Sequence, residues 1–524
     1  MNISVHRSPA RSVLREHHPG GALAGQNEHA EGAARGGRCA VRVRFPAVKG
    51  SRAGLLVFST SAVVLVLEVL AGRLMAPYVG VSQETFTGVI GTVLAGIALG
   101  ASIGGRLADR QDPNVLLGPV LVIGGSLIWA SLPILRLLGP LVGSGPFAIV
   151  VLTTAAFLAP AMVLSAVSPM VAKMLLESLD DSGSIVGRVS AMGTIGALVG
   201  TFLTGFVLVT ALPTQWVVLL IGGLTIVGGI VLTVRHHASL PGGRAAVVIL
   251  LVPGLGAVTL PPPCDRESAY FCINVERDES RPTGRSLILD RTRHAYVDLD
   301  DPTHLELRYV RLIADVVEAA SPDAAAVDAL HLGGGGFTLP RYLSATRPGS
   351  THVVLEIDPT LVEVARDELG LAEDAADIVV GDARLALADL PTDGFDLIVG
   401  DAFASTSVPW HLTTVETMRQ LRRVLRPGGI YVMNVIDGGA NRYARAQLAT
   451  LVESFDHVAA IMPPGGVGDL RQNQILVASD APIADLTVDP DDGVFVAESR
   501  VAGIIGGAEP LTDDFAPVDQ MLMR

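Results

Sequence analysis

Charged residues are scarce in this 524-residue chain: they make up 17%, while hydrophobic residues make up 49% and the mean hydropathy is +0.48. A typical soluble domain contains about 25% charged residues. The composition therefore excludes a wholly soluble enzyme of this length and predicts that part of the chain lies in lipid. The length leaves room for more than one domain.

Cysteine is also scarce, and there is no excess of basic residues. The three cysteines, Cys39, Cys264 and Cys272, include no CxxC pair. They are too few for a disulfide framework or a zinc cluster, so no metal is expected. The net charge is -14 and the pI is near 5.3. Because a nucleic-acid-binding surface needs an excess of Lys and Arg, no nucleic-acid partner is expected.

Long apolar runs dominate the first half of the chain. Residues 1–50, rich in Gly, Ala, Arg and His, are predicted to form a disordered basic tail and not a secretory signal, because the first long apolar stretch begins near Ala53. About 20 apolar residues span a bilayer. The sequence predicts a transmembrane bundle over 51–262, with seven helices, or six because the last run is short. The runs lie at 53–71, 87–104, 115–134, 146–169, 189–210, 215–233 and 245–260.

Two features stand out inside this bundle. Glycines recur at a four-residue spacing, which lets helices in lipid approach closely. They are Gly96, Gly100, Gly104, Gly196 and Gly200. Glu68 lies within the first run, where an ionisable group marks either a function such as transport or a buried partner such as Arg73.

Basic residues lie in the tail and in alternate loops between the runs. The loop residues are Arg106, Arg110, Lys173, Arg188, Arg235 and Arg244. The positive-inside rule places them in the cytoplasm, so seven spans put the C-terminal part outside, where Cys264 and Cys272 would form a stable disulfide. A domain that uses a cytosolic nucleoside cofactor would instead face the cytosol. The sequence predicts a multi-pass membrane protein and leaves the side of this domain open.

After three prolines at 261–263 the pattern changes to that of an α/β protein. Strands at 268–275 and 286–289 and a helix near 305–320 predict a small β unit with a linking helix over 263–322. Strands then alternate with helices over 323–524, which predicts a doubly wound parallel sheet. These strands are expected at 326–332, 352–357, 378–380, 397–399, 430–435 and 474–478.

Glycines and acidic residues follow successive strands of this sheet. The first strand ends in the sequence His-Leu-Gly-Gly-Gly-Gly-Phe at 331–337, and Glu356, Asp382 and Asp401 follow the next three strands. A glycine turn before a helix lets a ligand approach the backbone, and an acid at the second strand accepts hydrogen bonds from a ribose. The set predicts a nucleoside-binding crevice. A helix N-cap explains any single acid but explains the set poorly.

These segments resemble the spermidine synthase (polyamine aminopropyltransferase) family, in particular members with an N-terminal multi-span region. Residues 332–337 are similar to its glycine loop, 356–359 to its ribose-binding acid, 381–383 to its adenine-contacting segment, 395–401 to the strand of its catalytic aspartate, and 511–514 with 517–519 to its membrane-fused tail. The resemblance covers roughly 265–524. It implies the fold of class I methyltransferases and a homodimer.

The resemblance also implies a reaction. An aminopropyl group passes from decarboxylated S-adenosylmethionine to a small-molecule amine such as putrescine, and methylthioadenosine is released. Asp401 is the implied base, because an aliphatic amine with a pKa of about 10 is mostly protonated at neutral pH. The implied cofactor-binding residues are Gly333, Gly334, Gly335, Glu356, Asp382, Ala383 and Pro409.

The amine side of the site departs from the family pattern. Gly336 and Ala404 stand where the family has aspartates, and Phe271 stands where it has a glutamine. Candidates for amine binding are Tyr270, His294 and His304, and the acids Asp290, Asp298 and Glu306 either replace the missing carboxylates in part or face solvent and cap turns. The segment 408–412 forms a lid or an adenine wall, or Trp410 is a core residue.

Two other functions stay open at this point. An S-adenosylmethionine-dependent methyltransferase would need a cation near Gly333 for the carboxylate of the intact cofactor, and Arg341 is the candidate. A non-catalytic membrane transporter or sensor would bind a nucleoside or polyamine without turnover.

Overall fold

The computed structural model describes residues 47–143, 145–176, 182–236, 252–321, 323–403 and 408–522. Nearly all of the predicted tail over 1–50 lies outside the described residues, and so does Ala404. The chain from Val48 onward forms one compact unit. Contacts between its N-terminal helices and its C-terminal sheet therefore belong to a single structure.

Within the described part of the chain, six helices are long and apolar enough to cross a membrane. They are α1 (Ala47–Val79), α2 (Gln83–Arg110), α3 (Pro113–Val142), α4 (Pro146–Leu175), α5 (Ser182–Ala211) and α6 (Thr214–Arg235). They coincide with the first six apolar runs. The seventh run, at 245–260, lies partly outside the described residues, and its residues 252–259 form a helix, α7.

Glycines bring two pairs of these helices into backbone contact. A Cβ atom on Gly100 of α2 would lie 2.1 Å from the carbonyl oxygen of Met162 in α4. A Cβ atom on Gly196 of α5 would lie 2.2 Å from the carbonyl oxygen of Phe58 in α1. Any larger residue at either position would force the helices apart, so the four-residue glycine spacing has the packing role that such spacing favours in lipid.

Arg136, near the end of α3, fixes α7 to the bundle. Its guanidinium group donates to the carbonyl oxygens of Ala257 and Leu260, both at 2.8 Å, and to the side chain of Gln215 at 2.7 Å. α7 therefore ends beside the start of α6. The two ends of α6 are about 33 Å apart, because an α-helix rises 1.5 Å per residue and α6 has 22 residues.

Arg73, near the end of α1, joins the bundle to the C-terminal part of the chain. The prediction that it pairs with Glu68 is wrong, because residues five positions apart do not share a helix face. Its guanidinium group instead contacts the carboxylate of Glu267 at 3.2 Å and donates to the carbonyl oxygens of Ser268 and Ala269, the latter at 2.5 Å.

A four-stranded antiparallel β unit follows the bundle. Its strands, in spatial and chain order, are β1 (Arg266–Glu267), β2 (Cys272–Arg277), β3 (Gly284–Leu289) and β4 (Thr292–Asp298). The two predicted strands overlap β2 and β3, whereas β4 begins with three polar residues that conceal it. Cys264 and Cys272 form a disulfide, and the carboxylate of Asp290 accepts from the Cys272 N–H at 3.1 Å.

Eight strands form the C-terminal sheet, in the order β12-β10-β11-β9-β8-β5-β6-β7. They are β5 (Asp328–Leu332), β6 (Thr351–Glu356), β7 (Asp377–Val380), β8 (Phe395–Gly400), β9 (Leu425–Asp437), β10 (His457–Met462), β11 (Gln472–Ser479) and β12 (Val494–Val496). The α/β class is confirmed. Strands β5 to β9 run parallel, but β11 pairs antiparallel with β9 and β10, so the sheet is mixed. The link 463–471 is too short for the crossover that a parallel pair needs.

Helices cover both faces of this sheet. Leu397 and Val399 of β8 pack into one hydrophobic cluster with α8 and α9, while Ile398 packs into another with α12 and α13, as alternation along a strand requires. The helices are α8 (Arg308–Ala320), α9 (Thr338–Thr346), α10 (Pro359–Glu368), α11 (Ala383–Leu387), α12 (Val415–Val424), α13 (Arg442–Ser454), α14 (Glu498–Ile505) and α15 (Val518–Leu522). A third cluster joins α10 to the β unit.

Candidate active site

The register of the parallel strands aligns four residues at the carboxyl end of the sheet. Leu332 of β5 pairs with Leu355 of β6 and with Gly400 of β8, and Gly400 pairs with Met433 of β9. The residues that follow are therefore level with one another. They are Gly333, Glu356, Asp401 and Asn434. Ligands of open α/β sheets bind at this end, where the strand order reverses on either side of the first strand.

The glycine loop allows close approach to the backbone. Gly333 has a φ of +94°, and a Cβ atom there would lie 2.7 Å from the carbonyl oxygen of Asp401, so both its conformation and its surroundings require glycine. Gly335 and Gly381 differ from it, because no described atom lies within 4 Å of a Cβ at either position. This open space at two strand ends leaves room for a ligand.

Glu356 is held by the backbone of the loops around it. Its carboxylate accepts the N–H of Gly334 at 2.7 Å and the N–H of Asp358 at 2.9 Å. Burial raises the pKa of Glu356, and these N–H donors offset part of that rise. A carboxylate oxygen accepts more than one hydrogen bond. Glu356 therefore keeps acceptor capacity for hydroxyl groups in the crevice.

Ser268 connects the β unit to the helix that follows Glu356. Its hydroxyl accepts the N–H groups of Tyr270 at 3.0 Å and Phe271 at 2.9 Å, and it donates to the carboxylate of Asp358. Asp358 in turn caps α10 by accepting the N–H of Thr360 at 3.0 Å. The position of Tyr270 is thereby fixed relative to the crevice.

Asp382 has two partners in the structure. One carboxylate oxygen caps α11 by accepting the N–H of Arg384 at 2.9 Å, and the other lies 2.9 Å from Nε2 of His411. The capping role that the sequence left open is therefore present, and Ala383 is the first residue of the capped helix. The contact with His411 brings the segment 408–412 over the end of β7.

Trp410 belongs to this segment, and the prediction that it is a core residue is wrong. The residue is 49% exposed, and its ring packs edge-on against His411 at 5.9 Å between centroids. It lies in a short 3₁₀ turn that begins after Pro409. Because His411 is bound to Asp382, this arrangement favours a wall of the crevice.

Asp401 lies at the carboxyl end of β8 and has a raised pKa. Burial raises its pKa to about 6, although hydrogen bonds from Asn434 and Tyr309 lower it in part. The Asn434 amide donates to Oδ1 at 2.8 Å. The Asp401 N–H donates to the carbonyl oxygen of Leu332 at 3.1 Å, which fixes the backbone against β5.

Neither Asn434 nor Tyr309 was predicted from the sequence. The Asn434 amide is oriented by Asn473, whose Nδ2 donates to Asn434 Oδ1 at 2.9 Å, so its own N–H faces Asp401. The Tyr309 hydroxyl lies 3.1 Å from the carbonyl oxygen of His294. An amide within the apolar run 430–436 was an available signal, whereas nothing in the sequence of α8 distinguishes Tyr309.

The amine-binding candidates Tyr270 and His294 have different surroundings, and Tyr270 lies near the carboxylates of Glu356 and Asp382. The backbone carbonyl of His294 is connected to Asp401 through Tyr309, and Nε2 of the His294 ring has no hydrogen-bond partner among the described residues. Burial lowers the pKa of His294 to about 4, so its imidazole is neutral at physiological pH. The ring of Phe271 lies 6.3 Å from that of His294. Burial raises the pKa of Tyr270, and nearby carboxylates add to this effect.

His304 lies in a different cluster, away from Asp401. Its two ring nitrogens contact Arg281 at 3.2 Å and Glu306 at 3.3 Å. Arg281 also pairs with Asp298; burial raises the pKa of Asp298, but hydrogen bonds from Arg281 and its neighbours outweigh this and hold it well below its usual value. The structure therefore does not bring His304, Glu306 or Asp298 to the crevice.

Gly336, which departs from the family pattern, and Arg341, the candidate cation, both have packing roles. A Cβ atom on Gly336 would lie 2.7 Å from that of Ala295, so a side chain at this position requires β4 to shift. Arg341 donates to the carbonyl oxygens of Leu369 at 2.6 Å and Asp298 at 3.2 Å. The prediction that Arg341 supplies a cation near Gly333 is thus wrong, because α9 directs it toward α10.

The C-terminal segment supports the wall of the crevice. Asp513 accepts from Arg384 at 2.7 Å and from the Thr414 hydroxyl at 2.8 Å. Arg384 also donates to the carbonyl oxygen of His411 at 3.0 Å. The tail that follows Leu511 thereby holds the residues that position Asp382 and Trp410.

Comparison with known proteins agrees with this geometry. The family described as a methyltransferase domain matches residues 330–433. The polyamine aminopropyltransferase of Chromobacterium violaceum is 31% identical over 153 residues, which cover 29% of this chain and 57% of the relative. The chain is thus similar to polyamine aminopropyltransferases over part of their length, which supports the family predicted from the sequence.

Other similar proteins have lower sequence identity to this chain. The polyamine aminopropyltransferase of Aeropyrum pernix is 27% identical over 202 residues, which cover 37% of this chain and 63% of the relative. The chain thus spans less than two thirds of the length of both relatives. A probable spermidine synthase from Corynebacterium glutamicum is a structural neighbour with 29% identity and a TM-score of 0.45, covering 49% of this chain and 99% of that one.

Proposed function

We propose that the C-terminal domain transfers an aminopropyl group from decarboxylated S-adenosylmethionine to an amine and releases methylthioadenosine, with Asp401 as the base. The observation that carries this proposal is the position of Asp401. It is a carboxylate with a pKa of about 6, level with Glu356 and beside the glycine loop. The named relatives support the reaction type at the level of the family.

The chemistry places specific demands on Asp401. An aliphatic amine has a pKa of about 10, so it must lose a proton before its lone pair can react. In the proposed step that lone pair forms the N–C bond, the C–S bond breaks, its electron pair remains on sulfur, and the proton passes to the carboxylate. A carboxylate with a raised pKa accepts this proton more readily than an exposed one, and it is still ionised above pH 6.

The donor fits the other half of the crevice. Glu356 has acceptor capacity for the ribose hydroxyls, and Gly333, Gly334 and Gly335 let the donor lie against the backbone. We assign Asp382, Ala383 and Pro409 to the adenine side, because His411 holds this wall against Asp382. Orienting the amine and the sulfonium in line would supply much of the rate enhancement.

Methyl transfer from intact S-adenosylmethionine is the alternative, and the match to a methyltransferase domain over 330–433 favours it. The carboxylate of that cofactor needs a partner. Arg341, the cation considered for this role, is bonded to two carbonyl oxygens of neighbouring segments. Aminopropyl transfer therefore accounts better for the described residues.

We also propose the organisation around this domain. The segment 51–262 is assigned to the lipid bilayer on the strength of its six long apolar helices. The segments 263–322 and 323–524 are assigned to the β unit with its linking helix and to the catalytic domain. The homodimer implied by the family resemblance stays a prediction.

The test is mass spectrometry of products from the purified full-length protein. Putrescine or spermidine is supplied with decarboxylated S-adenosylmethionine, beside a reaction with intact S-adenosylmethionine and an Asp401→Asn control. Methylthioadenosine and an aminopropylated amine, both absent with the Asn variant, are the expected products. S-adenosylhomocysteine would move the assignment to methyl transfer. A bound nucleoside without any product would favour a transporter or sensor.

A further inference from the structure

The sheet places a second amide, that of Asn473, on the same face as Asp401. Residues two positions apart along a strand point to the same face of a sheet. Three residues of β8, β9 and β11 pack into the hydrophobic cluster beneath α8, namely Val399, Val432 and Ile475. Asp401, Asn434 and Asn473 are each two positions from one of them and therefore lie on the face that α8 covers.

Asn473 lies farther toward the opening of the crevice than Asn434 does. Asn434 is level with Asp401 and pairs with Ile475 of β11, whereas Asn473 pairs with Ile436. Asn473 is thus two residues, or about 7 Å, farther along β9 toward the carboxyl end of that strand. Ligands of open α/β sheets bind beyond this end. Asn473 therefore lies between Asp401 and the opening on the β11 side.

The amide of Asn473 is connected to the proposed base through Asn434. Its Nδ2 donates to Oδ1 of Asn434 at 2.9 Å, and Nδ2 of Asn434 donates to Oδ1 of Asp401 at 2.8 Å. Arg308 of α8 donates to the backbone carbonyl oxygen of Asn473 at 3.3 Å, which holds this end of β11 beside α8. Oδ1 of Asn473 has no hydrogen-bond partner among the described residues. Since an amide oxygen accepts up to two hydrogen bonds, the half-buried Asn473 offers a fixed acceptor to a ligand.

The proposed reaction requires an acceptor of this kind. A primary amine that has lost a proton to Asp401 retains two N–H groups and one lone pair. The lone pair is fixed in the direction of the donor when both N–H groups are held, and such orientation contributes much of the rate. Asp401 can accept one of them. Gly336 and Ala404, which stand where the family has aspartates, have no side-chain oxygen for the other.

We propose that Oδ1 of Asn473 is the second acceptor for the attacking amine, which lies between Asn473 and Asp401. The inference rests on the proposed aminopropyl transfer and assigns a substrate-binding residue to the amine side of that site. An amide and a carboxylate at this position differ in their effect on the chemistry. A second carboxylate would stabilise the ammonium form and raise the pKa of the amine, whereas a neutral amide holds the amine without opposing the loss of its proton.

Asn473→Leu removes the hydrogen bonds of the amide and keeps a branched side chain of similar length. The full-length protein is supplied with decarboxylated S-adenosylmethionine and putrescine, and the release of methylthioadenosine is measured. We expect KM for putrescine to rise by about tenfold, which is the effect of losing one hydrogen bond to a charged group. KM for the donor should stay close to the wild-type value, because Asn473 lies on the amine side. Gln420→Leu, at an exposed position of α12, is the control and should leave both KM values unaltered.

Asn473→Asp distinguishes substrate binding from a structural role, because it should change two quantities in opposite directions. A carboxylate cannot donate to Oδ1 of Asn434, so the Asn434 amide turns toward the new carboxylate and its hydrogen bond to Asp401 is lost. The acidic limb of the kcat/KM profile should then shift to higher pH by about one unit. The same carboxylate attracts the ammonium group, so KM for putrescine at pH 9 should fall below the wild-type value. A site that is only distorted would give a higher KM.

Calorimetry tests the subsite without turnover, and retained methylthioadenosine binding shows that the variants are folded. Putrescine is titrated into protein saturated with methylthioadenosine, and Asn473→Leu should weaken its binding by about tenfold. This result without any product would support the subsite and reject the proposed reaction. Transfer with an unaltered KM for putrescine in Asn473→Leu, or with an equal rise in both KM values, would overturn the inference and leave the reaction intact. A wild type that neither binds putrescine nor reacts with it would reject both.

Discussion

The side-chain amide of Asn434 donates to Oδ1 of Asp401 at 2.8 Å, at adjacent ends of β9 and β8. This hydrogen bond favours the charged carboxylate and lowers the pKa of Asp401, which burial has raised to about 6. The amide of Asn473 fixes the orientation of the donor. Asn434 therefore sets how basic Asp401 is without acting on the substrate itself.

Asn434→Leu is expected to shift the acidic limb of the pH profile of kcat/KM to higher pH. Activity requires ionised Asp401, so kcat/KM of the wild type should fall as the pH drops through about 6. Loss of the hydrogen bond raises the pKa further, by about one unit, and shifts the limb to higher pH. The measurement is kcat/KM from pH 5 to 9, with exposed Gln420→Leu as the control. An unmoved limb would mean that Asp401 is not the titrating base.

Asp401→Asn is expected to abolish transfer and to stabilise the protein above pH 6. The pKa of Asp401 is raised from 3.8 to about 6 in the folded state. The contribution of this group to stability is therefore greatest below pH 3.8 and is lost as the pH rises through 6. The loss is on the order of 1 to 3 kcal/mol, since one pKa unit corresponds to about 1.4 kcal/mol. The Asp401→Asn variant has no group that ionises at this position, so it does not show this loss of stability. Thermal unfolding of both proteins should therefore give equal Tm values near pH 4 and a higher Tm for the variant at pH 8.

Much of the donor half of the site was predictable because its determinants are local in the chain. The glycines at 333–335 and the acids Glu356 and Asp401 each directly follow an apolar run, so their alignment needs only the parallel order of β5, β6 and β8. Topology then places all of them at one edge of the sheet.

The supports of these residues were not predictable in the same way. Asn434 and Tyr309 reach Asp401 from β9 and α8. The amide of Asn434 stands out in an apolar run, but the single sequence does not indicate which residue either side chain contacts. Strands β10 and β12, which pair antiparallel with each other, were not predicted either, because this pairing joins segments that are far apart in the chain. The error over Arg73 has the same origin, because its partner Glu267 is 194 positions away and is brought near only by the packing of the β unit on the bundle.

Glu356→Gln should weaken binding of the donor more than it slows the chemical step. The amide retains one acceptor for the Gly334 N–H but has no second carboxylate oxygen for the Asp358 N–H and the ribose. Hydrogen bonds to a charged group contribute about 1.5 to 3 kcal/mol, which corresponds to at least a tenfold rise in KM for the donor. Titration calorimetry with methylthioadenosine checks this directly. A change in kcat with KM unaltered would contradict the assigned role.

Arg73→Ala tests whether the bundle positions the β unit. The substitution removes the contacts to Glu267, Ser268 and Ala269, and Ser268 holds Tyr270 and Asp358. We expect kcat/KM to fall by about tenfold, since small misplacements of binding groups have effects of this size or larger. Arg73→Lys should restore part of the activity, and Arg110→Ala, at the other end of the bundle, is the matched control. If Arg73→Ala changes only the Tm, the contact is structural.

Three features together predict the side of the membrane on which the domain lies. The domain is attached at the end of the bundle where α6 begins, through Thr214 and Glu267 at 3.0 Å, whereas Arg110 and Arg235 end their helices at the other. Cys264 and Cys272 form a disulfide, which persists in oxidising compartments. Basic loops favour the cytoplasm. The expected location of the domain is therefore outside.

This location is checked in intact cells with a membrane-impermeant maleimide. A cysteine introduced at exposed Arg293, with Cys39 replaced by serine, should be labelled without permeabilisation, and one introduced at Arg110 only after it. Alkylation before and after reduction should also show Cys264 and Cys272 to be oxidised. The opposite labelling pattern would place the domain in the cytosol, whereas external labelling would require the donor to reach the outer face of the membrane.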